Sequence, residues 1–83
     1  MDYSSIEVND RRSISEFIRL LHADYKNNGS NWGNNTLELF LEAQQRYSLD
    51  IDGYYKSVEP DVNPEKASWK IFADLIKGAV VYE

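Results

Sequence analysis

The chain contains no cysteine. No disulfide framework, thiolate nucleophile or cysteine-based zinc or iron–sulfur centre can be built from it. Its one histidine, His22, is too few for an ordinary structural zinc site, and no metal or other cofactor is expected. There is no Gly-x-Ser-x-Gly elbow and no phosphate-cradling glycine loop. No apolar run reaches membrane-spanning length, and the opening MDYSSIEVNDRR lacks the apolar core of a cleaved signal peptide. The expectation is a soluble, cytoplasmic protein. Internal repeats and low-complexity segments are also missing.

What is present is enough for a core. At 83 residues, the chain is expected to form one domain burying roughly 60–65% of its unfolded surface. Hydrophobic residues make up 42% and aromatics 13%, too high for a disordered tail. With two Trp, three Phe and six Tyr, much of that core must be aromatic. The net charge of −5 is unevenly spread, and residues 50–65 alone carry five acids against Lys56. A phosphate backbone would be repelled there, so nucleic-acid binding is disfavoured. A basic partner is electrostatically admissible.

Periodicity predicts an all-α fold, a small bundle of three main helices plus one short helix. Residues 1–12 form an irregular N-terminal arm, and 13–83 the bundle. Ser13 with Glu16 reads as a capping box opening a helix that buries Ile14, Phe17, Ile18, Leu21 and Tyr25. That helix should close in a left-handed turn at Asn27-Asn28-Gly29. Trp32, in the polar loop that follows, is expected to fold back as a lid, its indole N–H finding a partner. Asn35 with Glu38 caps a second helix presenting Leu37, Phe40, Leu41, Gln44 and Tyr47. Gly53 should break it, leaving Asp50 or Asp52 to cap a short turn carrying Tyr54 and Tyr55. The last helix has two rival starts, Asn63-Pro64 and Ser68, and a face of Trp69, Phe72, Ala73, Ile76 and Val80. Gly78 and the β-branched Val80 and Val81 leave a strand as the lesser alternative at its end.

Candidate chemistry is sparse. Asp50-Ile51-Asp52-Gly53 superficially matches a calcium loop, but the glycine falls two residues early and Asp61 stands where glutamate is required. His22 shares a wet stripe with Arg19 and Lys26, interrupted by Ala23 and Asp24 and too sparse for a nucleic-acid footprint. A solvated histidine is the better reading, and the chain is read as no enzyme. The remaining candidate is the segment containing Asp50, Asp52, Tyr54, Tyr55, Glu59 and Asp61, where tyrosine rings offer apolar area and the carboxylates steer a basic partner. The plainer reading is that the tyrosines plug the bundle and the acids solvate a loop.

These residues also carry a resemblance. Ser13–Tyr25, Asn31-Trp32-Gly33-Asn34, Phe40-Leu41, Asp50-Ile51-Asp52-Gly53-Tyr54-Tyr55, Ser68-Trp69-Lys70-Ile71-Phe72-Ala73 and Tyr82-Glu83 together resemble a bacterial family of small uncharacterised proteins of unknown function. Gly33 stands in place of that family's usual acid, and Tyr47 in place of a Trp. The resemblance implies a small all-helical domain and brings no activity. A weaker likeness in design links the chain to colicin-type immunity proteins, which are small acidic helical bundles with a Tyr-Tyr turn beside acids.

The expected function is therefore a non-enzymatic protein–protein interaction module, immunity- or antitoxin-like, that binds a basic partner as a monomer or weak homo-oligomer. Asp50, Asp52, Tyr54, Tyr55, Glu59, Asp61 and Trp32 are its contact residues. Neither nucleic acid nor membrane is an expected partner. The alternative is a small enzyme or ligand-binding domain, with a pocket near Trp32, His22 and the Asp50–Tyr55 turn.

Overall fold

The structure, a computed structural model, describes residues 2–83; Met1, the first residue of the predicted arm, lies outside the described residues. It is all-α, with α1 (Arg11–Asn28), α2 (Leu37–Val58) and α3 (Trp69–Ala79), 3-10 turns at Tyr3–Ser5 and Gly29–Asn31, and no strand among the described residues.

The helix starts follow side-chain capping, at residues partly different from those expected. Asp10, not Ser13, is the N-cap of α1; its carboxylate accepts the Ser13 N–H at 2.7 Å and Ser13 Oγ returns a bond to the Asp10 N–H at 3.0 Å. The box therefore sits three residues earlier, with Asp10 as cap and Ser13, an equally good cap by type, serving as its third-position partner. Glu16 is left free to pair with Arg19. Thr36, not Asn35, caps α2, and Ser68 caps α3 by accepting the Ile71 N–H at 3.1 Å. Asn63 and Pro64 open only an isolated turn, in which Asn63 Oδ1 accepts the Glu65 N–H at 2.9 Å.

Two expected breaks are absent. Gly29 is right-handed and passes α1 directly into a 3-10 turn, without a left-handed cap. Gly53 lies inside α2, which runs unbroken for 22 residues. A glycine inside a helix costs only about 1 kcal/mol, and the buried Ile51 and Tyr55 on either side anchor that stretch to the core. The predicted short helix is thus the second half of α2.

The short helix α3 lies between the other two. Ala73, Val80 and Ile76 face α1, meeting Phe17, Leu21 and Ile14, while Ile71 and Leu75 face α2, meeting Ile51, Tyr55 and Tyr47. α2 and α3 run antiparallel, with Lys70 against Glu59 at one end and Arg46 bonded to the Glu83 carbonyl at the other. The N-terminal arm belongs to the core: Val8 is buried, Ile6 and Tyr3 pack beside it, and the Tyr3 ring meets Phe17 edge-on at 6.0 Å. Asn34 reaches the far end of α3, where its Nδ2 donates to the carbonyls of Ala79 at 2.9 Å and Tyr82 at 2.8 Å. The Ala79 carbonyl is one that a helix end otherwise leaves unpaired, and the bond to Tyr82 ties the segment after α3 to the same loop.

Of the expected apolar face of α3, Ala73, Ile76 and Val80 pack inward and Trp69 and Phe72 do not. Trp69 is 42% exposed and Phe72 53%, whereas Ile71, Ala73, Ala79 and Val80 are buried. Helices on two sides bury two separate stripes, so no single continuous face leads inward. On α2, Leu37 and Leu41 are likewise exposed. With Arg46 already level with Glu83, Leu37 and Leu41 lie past the last turn of α3, although Phe40 still packs on the core and Ala43 is fully buried.

Glycine tests this packing with opposite signs. A Cβ at Gly78 would sit 2.1 Å from the Tyr47 ring, while one at Gly53 would meet nothing within 4 Å. Gly78→Ala is expected to lower stability by about 1–2 kcal/mol, overpacking outweighing the gain in helix propensity. Gly53→Ala is expected to raise it by about 0.5–1 kcal/mol. Urea denaturation of both variants reads the difference, and matching shifts would show that α2 and α3 do not meet at Gly78.

Candidate functional site

The unbroken α2 scatters the acids that the sequence places together. Two residues along a helix turn by about 200°, so Asp50 and Asp52 point to nearly opposite sides. Asp50 accepts the Tyr82 hydroxyl and holds the chain end against α2. Asp52 is exposed, with Oδ1 accepting the Gly53 N–H at 2.9 Å. Asp61 is exposed in the following turn. Tyr54 is 42% exposed, its ring edge-on to Tyr55 at 5.4 Å. Tyr55 itself is 1% exposed and must be withdrawn from any contact surface. It lies one turn after Ile51 and so falls on the buried side of α2.

Trp32 is half-buried, its indole N–H donating to Asp24 Oδ2 at 2.9 Å and its ring edge-on to Tyr25 at 5.0 Å. Beside it is a shallow apolar hollow of about 320 Å³ over Leu21, Tyr25, Leu37 and Phe40. Neither His22 nor any residue of the Asp50–Tyr55 turn lines that hollow, so the pocket expected between them does not form.

The largest concavity lies elsewhere, between the N-terminal arm and the Trp69 end of α3, with a volume of about 620 Å³. Ile6, Val8, Phe17 and Ala73 give it an apolar floor. Tyr54 and Trp69 line it as exposed rings, and Glu7, Glu59, Lys70, Asp74 and Lys77 are its charged lining. Two residues expected at the contact surface, Tyr54 and Glu59, thus meet at this groove, together with side chains that the sequence reading left out. The Lys70–Asp74 spacing of one helical turn was a visible signal. Nothing in the sequence marked the arm as the opposite wall.

Asp74 is the hub beneath the groove. Its Oδ2 accepts the Tyr55 hydroxyl at 2.6 Å and Lys70 Nζ at 2.8 Å, and its Oδ1 lies 3.9 Å from Lys77 Nζ. Lys70 also sits 2.7 Å from Glu59 Oε2 and 5.4 Å from the centre of the Tyr55 ring. Burial, and then the bond to Asp74, push the Tyr55 phenol far above its ordinary range. Burial alone would lower the Lys70 ammonium, but its bonds to Asp74 and Glu59 outweigh that and hold it above the usual value. A lysine kept cationic is a poor nucleophile, and a phenol this reluctant to ionise is a poor base. Among the described residues, no three His, Cys, Asp or Glu side chains gather as metal ligands. The arrangement is suited to holding a shape and presenting charge.

A protein family described as a family of unknown function (DUF7660) matches residues 10–83, beginning at the Asp10 that caps α1. No curated protein and no solved structure matches the chain.

The hub makes stability fall in alkali. Tyr55, Tyr47 and Tyr3 are all raised chiefly by burial, and Lys70 is raised as well. Groups raised in the folded state stabilise it fully below their unfolded values. That contribution is lost as pH climbs above about 10, where unfolded tyrosines ionise first. Tyr55→Phe is expected to cost about 1–2 kcal/mol near neutrality through the lost bond to Asp74. It should also flatten the decline between about pH 9 and 11. Urea midpoints across that range check both, and an unchanged alkaline slope would show that Tyr55 ionises freely.

Proposed function

We propose that this chain, which belongs to that family of unknown function, works without catalysis as an interaction module that binds a basic protein through the acidic, aromatic end of α2 and the turn after it. The observation that carries this reading is the exposure of Tyr54 on the lip of the groove, next to Glu59 and across from Trp69. Asp61 in the turn after α2 and Asp52, on the side of α2 away from Tyr54, stay exposed and add to the long-range negative field. Exposed aromatics among carboxylates supply desolvation energy and steering together.

The reading takes the chain as a monomer or weak homo-oligomer that binds neither nucleic acid nor membrane. No helix of the described residues is long and apolar enough to cross a membrane. A basic toxin, the partner suggested by the likeness in composition to colicin-type immunity proteins, is the first partner class to test.

A second reading, a small-molecule site, is favoured by the volume of the groove and the convergence of Lys70, Asp74 and Lys77 on it. The protonated state of Lys70 and Tyr55 makes binding, rather than turnover, the form this reading would take.

The test is capture from the native cell with the unmodified chain and with an Asp52→Asn/Asp61→Asn/Tyr54→Ala variant. A basic protein should be retained by the first and lost by the second. With that protein purified, the association rate should fall about tenfold between low and high salt for the unmodified chain, and much less for the variant. Equal rates for the two chains at low salt would end the proposal.

A further inference from the structure

We infer that the groove between the N-terminal arm and α3 receives an arginine side chain of the partner, its guanidinium flanked by Trp69 and Tyr54 and drawn in by Glu59 and Glu7. This rests on the interaction reading above and names the group the site takes. Ile6, Val8, Phe17 and Ala73 form an apolar bed, which suits a methylene stem whose charged head stays near water. Both aromatic rings are partly exposed, and aromatic faces attract cations.

The charges lining the groove decide the sign of the ligand. Glu7, Glu59 and Asp74 stand against Lys70 and Lys77, so carboxylates are in excess. Lys70 is held by two carboxylates at 2.7 and 2.8 Å, which leaves it little field to offer an anion. Lys77 shares Asp74. Glu7 makes no ion pair among the described residues and is exposed on the arm. With Glu59 and Asp74 paired to the two lysines, the net excess is one carboxylate, which favours a cation over an anion. Arginine fits better than lysine, because a planar, weakly hydrated guanidinium can stack on an indole and still bond in its own plane to a carboxylate.

The test uses the full chain labelled with ¹⁵N and titrated with Ac-Gly-Arg-Gly-NH₂, with the citrulline peptide as neutral isostere and with the lysine peptide. The arginine peptide should shift the Trp69 indole N–H and the amides of Glu7, Glu59 and Lys70 saturably. The citrulline peptide should bind about tenfold more weakly. Trp69→Ala, checked for native circular dichroism, and Glu7→Gln, on the exposed arm, should each weaken the arginine peptide. Equal affinity for arginine and citrulline, shifts confined to another surface, no shift at all, or a lysine peptide that binds at least as tightly would overturn the inference. With a basic partner in hand, binding lost on Asp52→Asn/Asp61→Asn yet intact in Trp69→Ala would overturn the groove and leave the interaction reading standing. Groove binding of the arginine peptide in a chain that captures no basic protein would support the groove and count against the interaction reading.

Discussion

A helix of eleven residues cannot hold itself in water, and in this protein that helix is the one on which both others rest. α3 survives because its neighbours come close on two sides, and they can do so only where its side chains are small. Ala73 clears the way for Phe17, and Gly78 admits the Tyr47 ring. Its ends are secured by other elements: Ser68 closes the first turn, and Asn34 reaches in from the loop after α1 to take up the final carbonyls. Interiors are packed densely enough that such approaches leave no slack. The positions of α1, α2 and the arm are in this sense consequences of two small residues and two caps.

The helical class and the number of main helices were legible because periodic apolar spacing survives in all three segments. Ser68 was legible as a start because capping is local. What could not be read was which of two adequate caps prevails, as at Ser13 against Asp10 or Asn35 against Thr36, since either residue type can bond the unpaired N–H groups of the first turn it opens. Gly53 was misread for a different reason. Its helix penalty is real, but Ile51 and Tyr55 are buried against α3, and tertiary contact outweighs a local cost of that size. The face of α3 was legible for Ala73, Ile76 and Val80, but Trp69 and Phe72 were misplaced because two neighbours bury two stripes of this helix and leave those rings outside both.

The site was legible in part. Tyr54 and Glu59 stand at the groove, as an acidic, aromatic segment suggested, but the continuous helix turns Asp50 and Asp52 apart and commits Asp50 to Tyr82. Tyr54 and Tyr55 are identical in sequence terms, and only the register of α2 sends one outward and the other to Asp74. Trp32 behaved as a loop tryptophan commonly does, closing over the core with its N–H satisfied. Lys70, Asp74 and the arm were missed as a group, because residues from three separate stretches meet there by tertiary packing.

The Asp74 hub then bears on how the groove can work. A half-buried carboxylate that accepts a phenol and an ammonium at one oxygen contributes little net stability once desolvation is counted, yet it fixes geometry. Tyr55 ties that hub to α2, Lys70 ties it to Glu59 at the end of α2, and Trp69 stands one residue before Lys70. The rings and charges of the lip are thereby attached to a rigid frame rather than to a loose chain end. A partner group that meets an already ordered surface forfeits less freedom on binding. A partly exposed ionic cluster beside an exposed aromatic lip therefore fits the preorganised recognition proposed above.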